Sequence, residues 1–187
     1  MAQKEDYKLR PIQEIDIERV LDWRNSDRVR VNMYTDHIIG IEEHRAWFER
    51  MQQNETMLYL ICEFKDRPIG LVYFTDIDRY NQSSFWGFYL GETDVPQGSG
   101  PAMEFLALEY AFEILNIRKL CCEVFDFNEK VIKLHKKFYF TEEGRFIKHR
   151  IKNGDYHDIV FLALFKEIWS ANKDKIAKVV FRNQLIN

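Results

Sequence analysis

The chain has 187 residues, the length of one ordinary globular domain, and nothing in its composition divides it. Its 27 Lys and Arg against 30 Asp and Glu give a formal charge of −3, which argues against a general nucleic-acid or membrane-surface binder. No apolar stretch approaches the roughly 20 residues that a membrane helix needs, and no apolar signal region opens the chain. We therefore expect a cytoplasmic protein with no nucleic-acid or membrane partner.

The cysteines and acidic residues indicate no metal site. Cys62, Cys121 and Cys122 lack the spacing of zinc ligands, and no His/Cys/Asp/Glu cluster has ligand spacing elsewhere. The cysteines stand in apolar runs, where a thiol behaves as a small hydrophobic group. The sequence predicts three buried free thiols and no metal cofactor.

Short strands alternate with helices along the chain. Residue patterns predict strands at 7–12, 57–64, 68–75, 84–91, 118–125 and 156–165, with a further strand starting at 138–141. They predict helices at 16–23, 29–34, 41–53, 101–115 and 128–137, and a helical C-terminal extension at 166–187. This order specifies an α/β (α+β) fold with one mixed sheet, in a single domain that spans residues 1–187.

A glycine-rich loop precedes the longest predicted helix. Gly98 and Gly100 permit a sharp turn and a close approach to a ligand, and Pro101 suits the first position of a helix. A helix that begins there points the free amides of Ala102 and Met103 at one place, which favours an anion. The glycine spacing is that of neither a Walker loop nor a dinucleotide fingerprint, and a plain strand-to-helix turn is the alternative.

Two motifs resemble those of the GNAT superfamily of acetyltransferases. Gln97-Gly98-Ser99-Gly100-Pro101-Ala102 is similar to its Gln/Arg-x-x-Gly-x-Gly/Ala loop, which binds the pyrophosphate of acetyl-CoA. The segment from Asn128 to Phe140 resembles the downstream motif of an Asn, a short helix with a Tyr, and Gly-Phe. The resemblance implies a mostly antiparallel central sheet flanked by helices, with a splayed cleft for acetyl-CoA.

The resemblance also implies which residues bind the cofactor. In the family, exposed backbone of the strand before the loop pairs with the pantetheine amides, by the logic of strand addition. The implied cofactor-binding residues are Tyr89, Leu90, Gly91, Gln97, Gly98, Ser99, Gly100, Pro101, Ala102, Asn128, Lys133 and His135.

Histidine replaces the family tyrosine at His135, and Tyr139 replaces the glycine of Gly-Phe. The family tyrosine serves the departing thiolate, and a histidine can also donate a proton near neutral pH. His135 is therefore the first candidate for catalysis, and a polar helix residue without a proton role is the alternative. Asp76 and Glu123 are the candidates for the base that deprotonates the amine.

Motifs in the N-terminal half resemble the N-acetyltransferases of pseudaminic acid biosynthesis. They include Leu21-Asp22-Trp23-Arg24-Asn25 and the strand Gly70-Leu71-Val72-Tyr73-Phe74. The resemblance implies transfer to the free amine of a nucleotide-linked amino sugar, UDP-4-amino-4,6-dideoxy-N-acetylaltrosamine. The fork-shaped guanidinium of an arginine suits a diphosphate, and a side-chain amide suits a sugar hydroxyl. An aromatic ring suits the apolar face of a sugar or a base. The predicted acceptor-binding residues are Arg24, Asn25, Tyr34, Trp47 and Tyr73.

Other functions remain open from the sequence. The segments from Glu142 to Gly144 and from Ile151 to Asp158 also resemble spermidine and ribosomal-protein acetyltransferases, so a polyamine or a protein N-terminus are alternative acceptors. A catalytically silent acetyl-CoA-binding module is a third alternative. For Arg24, a surface ion pair with Asp22 or Asp27 is the simpler role, and Trp47 could belong to the core. A homodimer is the candidate assembly.

Overall fold

A computed structural model describes residues 3–181, and its centre is one seven-stranded sheet. The strands stand in the order β1-β2-β3-β4-β5-β7-β6, and every neighbouring pair is antiparallel except β4 and β5. The strands are β1 Tyr7–Pro11, β2 Leu58–Phe64, β3 Arg67–Asp78, β4 Ser83–Leu90, β5 Lys119–Phe125, β6 Thr141–Lys152 and β7 Asp155–Phe165. The expected mixed, mostly antiparallel central sheet is confirmed.

Helices cover both faces of this sheet. The helices are α1 Ile17–Asn25, α2 Asp27–Arg30, α3 Ile41–Gln52, α4 Ser99–Glu109, α5 Glu129–Lys137 and α6 Lys166–Val180. The buried side chains form two clusters, one beneath α1 to α3 and one beneath α4 to α6. Neighbouring strand residues face opposite sides of a sheet, so Leu60 packs in the cluster of α4 while Ile61 packs in that of α1.

The glycine loop's helix begins earlier than expected. We predicted a helix from Pro101, whereas α4 starts at Ser99 and passes at Glu109 into a π-helical turn, Tyr110–Ile114. Gly98 is the N-cap and takes a left-handed conformation with φ of 95°, which a glycine adopts at no steric cost. The chain therefore reverses before Ser99, and Pro101 lies inside the first turn.

The strands β4 and β5 diverge in the middle of the sheet. They pair only from Ser83 to Phe85 on β4 and from Lys119 to Cys121 on β5. Beyond these residues β4 continues to Leu90 along β3, while β5 continues along β7. The divergence leaves one edge of β4 open within the sheet, which is the splayed cleft that the family resemblance implies.

The C-terminal hairpin was predicted only in part. The pattern at 138–141 marked the start of a strand, but β6 runs from Thr141 to Lys152 and is exposed on both faces except at Lys152. A strand without a buried face shows no apolar alternation, so its length could not be predicted. Phe146 and Ile147 stand among its exposed apolar side chains, and the homodimer stays a prediction.

The remaining predictions concern the tail, the cysteines and the membrane. The tail forms α6 as expected, and its last residues, 182–187, lie outside the described part of the chain. Cys62, Cys121 and Cys122 are buried and free. Within residues 3–181, no helix has the length and apolar character needed to cross a membrane, and no group of side chains could hold a metal ion.

Candidate active site

The first part of the site is the cleft where β4 and β5 diverge. It encloses about 80 Å³ and is lined by Trp86 and Phe88 of β4, Cys122 of β5, and Asn128 and His135 of α5, among others. The glycine loop that opens α4 follows β4 directly. The cleft therefore combines an open strand edge with the N-terminus of α5, a geometry that suits an extended ligand with an anionic end.

The glycine loop offers fewer free amides than the sequence suggested. The Ala102 N–H donates to the Gly98 carbonyl at 3.0 Å, and Met103 lies a full turn inside α4, so neither amide is free. Ser99 is fixed by its hydroxyl, which donates to the Pro96 carbonyl at 2.8 Å. The Gly100 N–H has no partner within residues 3–181, which makes it the free donor of the first turn.

The end of β4 is partly occupied by protein groups. The carbonyls of Leu90 and Gly91 accept hydrogen bonds from the Arg28 guanidinium at 2.9 and 2.7 Å, and the Gly91 N–H donates to Ile69. The side chain of Tyr89 faces the other side of the sheet. We predicted that these three residues pair with the cofactor through their backbone, and in this structure Arg28 holds two of the carbonyls.

His135 lies deep in the cleft beside a buried carboxylate. Its Nδ1 is 2.8 Å from Oε1 of Glu104, and both side chains are buried. Burial alone lowers the pKa of His135. The charge of Glu104, the neighbouring Cys122 and the hydrogen bonds to both outweigh burial and raise that pKa well above 6.5.

Of three further predicted residues, Asn128 lines the cleft and Lys133 and Asp76 do not. Asn128 is the N-cap of α5, has no side-chain cap hydrogen bond, and lines the cleft. Lys133 is exposed and pairs with Glu129 at 2.6 Å instead. Asp76 lies exposed at a bulge of β3, with φ of 49°, and lines neither this cleft nor the cavity described next. This placement argues against Asp76 as the base, because the bulge carries it away from the site.

The second part of the site is a cavity of about 310 Å³ under α1 and α3. Aromatic rings form one wall: Trp47 and Tyr59 meet edge to face with centroids 5.0 Å apart, and Tyr59 stacks on Tyr73 at 5.7 Å. The cavity is lined by Val20, Arg24, Met33, Thr35, Ile39, Glu43, His44, Trp47, Arg50, Tyr59, Leu71, Tyr73 and Tyr89.

Two polar atoms in this cavity are buried without a hydrogen bond. Arg24 donates through Nη2 to the hydroxyl and carbonyl of Thr35, but its Nη1 has no partner. His44 also has an unpaired Nε2, and burial together with the charge of Arg24 lowers its pKa. Buried polar atoms are rarely left unpaired in proteins, so these two nitrogens are candidate contacts for a polar ligand.

Of the remaining predicted acceptor residues, Asn25 has a structural role and Tyr34 lies at the site. Both ends of the Asn25 amide bond to the backbone of Ile39 at 2.9 Å, so Asn25 holds a loop and does not line the cavity. The Tyr34 hydroxyl donates to the exposed carboxylate of Glu123 on β5, and Arg150 lies 4.4 Å from the Tyr34 ring centre. Tyr34 and Glu123 therefore meet at the rim of the cleft.

The cleft and the cavity meet at two shared residues. Met33 and Tyr73 line both of them. A Cβ on Gly87 would lie 2.3 Å from the Tyr73 hydroxyl, so the glycine leaves room for this ring where the two spaces join. Met33 and Tyr73 therefore separate the cavity from the cleft.

Sequence reasoning missed several residues of the site. His44 and Arg50 lie three residues on either side of Trp47, a helical spacing that could have placed them on the same face of α3. Glu104 is the one acidic residue in the apolar first half of the predicted helix, and its burial was the available signal. Tyr59 reaches the site by pairing opposite Tyr73 across two strands, which no local pattern indicates.

Comparisons with known proteins agree with this geometry. Residues 7–141 match the acetyltransferase (GNAT) domain. The acetyltransferase PseH of Campylobacter jejuni is 30% identical over 67% of this chain and 77% of its own length. The spermidine N(1)-acetyltransferase of Escherichia coli is 22% identical over 91% of this chain and 92% of its own.

The solved structures of acetyltransferases show the same fold. The spermidine N-acetyltransferase of Vibrio cholerae, in complex with CoA and spermine, superimposes with a TM-score of 0.84 at 19% identity. It covers 89% of this chain and 99% of its own. Together with the glycine loop and the splayed sheet, these matches show that the chain belongs to the GNAT family and is an acetyl-CoA-dependent N-acetyltransferase.

Proposed function

We propose that the chain acetylates the free amine of an acceptor that also carries an anionic group, and that the acceptor is a nucleotide-linked amino sugar. The observation that carries this proposal is the half-buried Arg24, whose Nη1 is buried and unpaired in an aromatic cavity next to the cleft. A guanidinium binds phosphate or carboxylate oxygens in a fixed geometry, and a free donor in a buried site needs such a partner.

The charges of the cavity favour an anionic acceptor over a polycation. Arg24 and Arg50 line it, while Glu43 is its single carboxylate among the described residues. A polyamine would bring two or more positive charges close to two guanidinium groups, and like charges in a partly buried site repel. A diphosphate would instead meet both cations.

Aromatic rings supply the second half of acceptor recognition. Trp47, Tyr59 and Tyr73 form a continuous wall of the cavity, and flat rings pack on the apolar face of a hexose or on a base. The similarity to PseH over two thirds of the chain supports the finer proposal, UDP-4-amino-4,6-dideoxy-N-acetylaltrosamine.

For the transfer itself we propose direct attack of the amine on the thioester. Acetyl-CoA supplies the activated acetyl group. Glu123, exposed at the rim and held by Tyr34, accepts the proton of the amine directly or through water. His135, which lines the deep end of the cleft, donates a proton to the departing sulfur.

A polyamine acceptor is the second candidate. It is supported by the similarity to the Escherichia coli spermidine N(1)-acetyltransferase over nine tenths of both chains, and by the fold shared with the Vibrio cholerae spermidine N-acetyltransferase. The mixed charge of the cavity ranks it second, because two arginines face the place where a polycation would lie.

An acceptor panel tests the proposal. Release of free thiol from acetyl-CoA is followed with a UDP-4-amino sugar, with spermidine and with a peptide that has a free N-terminus. We expect the highest kcat/KM with the UDP-4-amino sugar. A higher value with spermidine would replace the proposed acceptor with a polyamine, and no thiol release with any of the three would contradict both candidates.

A further inference from the structure

The buried pair of Glu104 and His135 stands apart from the other ion pairs described above. Glu104 is fully buried on α4, His135 is 3% exposed on α5, and 2.8 Å separates Oε1 from Nδ1. The second oxygen of Glu104, Oε2, has no hydrogen-bond partner within residues 3–181. A carboxylate with one partner in the core is costly, and such a cost is often retained where a group serves function.

The surroundings of His135 leave few other groups to set its charge. The rings of Trp86, Phe88 and Phe140 pack around it, with centroids 5.1 to 6.2 Å from the imidazole. Of the titratable groups on the elements that face it, Glu104 of α4 and Cys122 of β5 are those that influence it. Among residues 3–181, Glu104 is therefore the carboxylate that touches the ring.

We propose that Glu104 is a positioning residue for acetyl transfer: it holds the Nδ1–H of His135 and thereby keeps the imidazole oriented and able to donate from Nε2 into the cleft. This inference rests on the proposed function, in which His135 protonates the departing sulfur. Nδ1 is committed to Glu104, so Nε2 is the nitrogen left, and its one N–H can serve Cys122 or a group in the cleft that both residues line.

The physical need for Glu104 follows from burial. An imidazole enclosed by aromatic rings loses its hydration, which disfavours the charged form and would leave His135 neutral at pH 7. A neutral imidazole has one N–H, and without a partner at Nδ1 that proton can occupy either nitrogen. A carboxylate at Nδ1 fixes the orientation of the ring and stabilises the charged donor, as acidic partners of catalytic histidines do in other enzymes.

The test is Glu104→Gln, which keeps the shape of the side chain and removes its charge. The ring signals of His135 are followed by NMR in a pH titration, and kcat is measured with the most active acceptor of the panel. We expect the His135 titration to move to lower pH. We also expect kcat at pH 8 to fall about 10-fold to 100-fold. The alkaline limb of the pH–rate profile should move to lower pH, as the His135 titration does.

A matched control uses the same helix. Glu109→Gln makes the same substitution on α4, at a carboxylate whose partners are the surface residues Lys4 and Lys173. It should leave the His135 titration and the pH profile as they are. A Glu104→Gln variant with the wild-type His135 titration would overturn the proposal. If the Glu104→Gln variant fails to fold, the NMR titration of the wild-type protein is the test. A His135 ring that is neutral at pH 7 would overturn the proposal as well.

The outcomes separate this inference from the proposed function. The NMR titration needs no acceptor, so it tests Glu104 even where none of the three acceptors is acetylated. If His135→Phe transfers acetyl slowly while Glu104→Gln keeps a normal rate and pH profile, only the proposed role of Glu104 is contradicted. A normal rate in His135→Phe removes the acid role of His135, and with it the need for Glu104.

Discussion

The two halves of the site are built in different ways. The proposed cofactor half joins the side chains of the cleft to backbone features: the open edge of β4, the left-handed Gly98 and the free amide of Gly100. The proposed acceptor half is a cavity lined by side chains from α1, α3, three strands and the segment 33–39. Backbone geometry recurs throughout a family, whereas side chains vary between its members, so we expect the first half to identify the chemistry and the second half to select the acceptor.

The two halves also differ in how their cationic groups are paired. In the cleft, His135 is bonded to Glu104, so its charge is balanced inside the protein, although Trp86 Nε1 and Glu104 Oε2 have no hydrogen-bond partner there. In the cavity, a buried nitrogen of the Arg24 guanidinium has no partner, and neither has Nε2 of His44. A free guanidinium donor is best satisfied by an anionic ligand, so we expect the cavity to bind the acceptor and the cleft to carry the reaction. The following predictions test this division.

The largest effect is expected at the glycine loop. Gly100→Val should weaken CoA binding more than about 100-fold, because the side chain keeps the pyrophosphate from the free amide, and charge-assisted hydrogen bonds contribute ~1.5–3 kcal/mol each. The protein itself has room, since a Cβ at Gly100 meets nothing closer than Leu90 at 3.9 Å. Calorimetric titration with CoA measures the change.

The control for this variant is Gly144→Val on β6, where a Cβ meets no atom within 4 Å. It lies on the exposed hairpin and should bind CoA as the wild type does. A folded Gly100→Val protein with unchanged CoA affinity would contradict the placement of the pyrophosphate at this loop.

The second effect concerns chemistry without binding. His135→Phe should lower kcat roughly 100-fold, the scale of general acid catalysis, while the Kd for acetyl-CoA changes little. The loss should be smaller with a thioester whose thiol is more acidic, since that leaving group needs less help. His135→Tyr should recover much of the rate. Near-normal turnover in His135→Phe would assign the proton to solvent or to another residue.

The third effect belongs to the acceptor cavity. Arg24→Ala should raise the acceptor KM about 10-fold or more and leave the Kd for acetyl-CoA nearly unchanged, because the lost contact is made only to the acceptor. Arg45→Ala is the matched control, since Arg45 lies on α3 but faces a different surface groove. Equal changes for both ligands in Arg24→Ala would show that Arg24 supports the fold instead.

The smallest effect is a pH dependence of stability. The pKa of His135 is raised in the folded protein, so its contribution is fully present below pH 6.5 and is lost as pH rises through the folded value. The free energy of unfolding should decline over that window by about 1.4 kcal/mol for each unit of the raise. Urea unfolding of wild type and His135→Phe at several pH values isolates the slope, and parallel curves would contradict it.

Local sequence determined much of the fold. Short apolar runs bounded by turn residues predicted six strands within a few residues of their ends, because strands that are packed on both faces, such as β2 and β3, carry apolar residues at successive positions. The glycine loop predicted a strand-to-helix turn, because Gly98 supplies the conformation that it requires. The start of α4 was misplaced because Pro101 suits the first turn as well as the first position.

Tertiary structure decided the rest. β6 has no buried face and so carries no signal, and Asn25 lines no cavity because the backbone of Ile39 takes its amide. Glu104 and His135 are 31 residues apart and meet only because α4 and α5 pack on the same face of the sheet. A sequence determines local conformation through short-range sterics and periodicity, while the contacts that select a substrate or set the charge of a histidine exist only after distant elements pack.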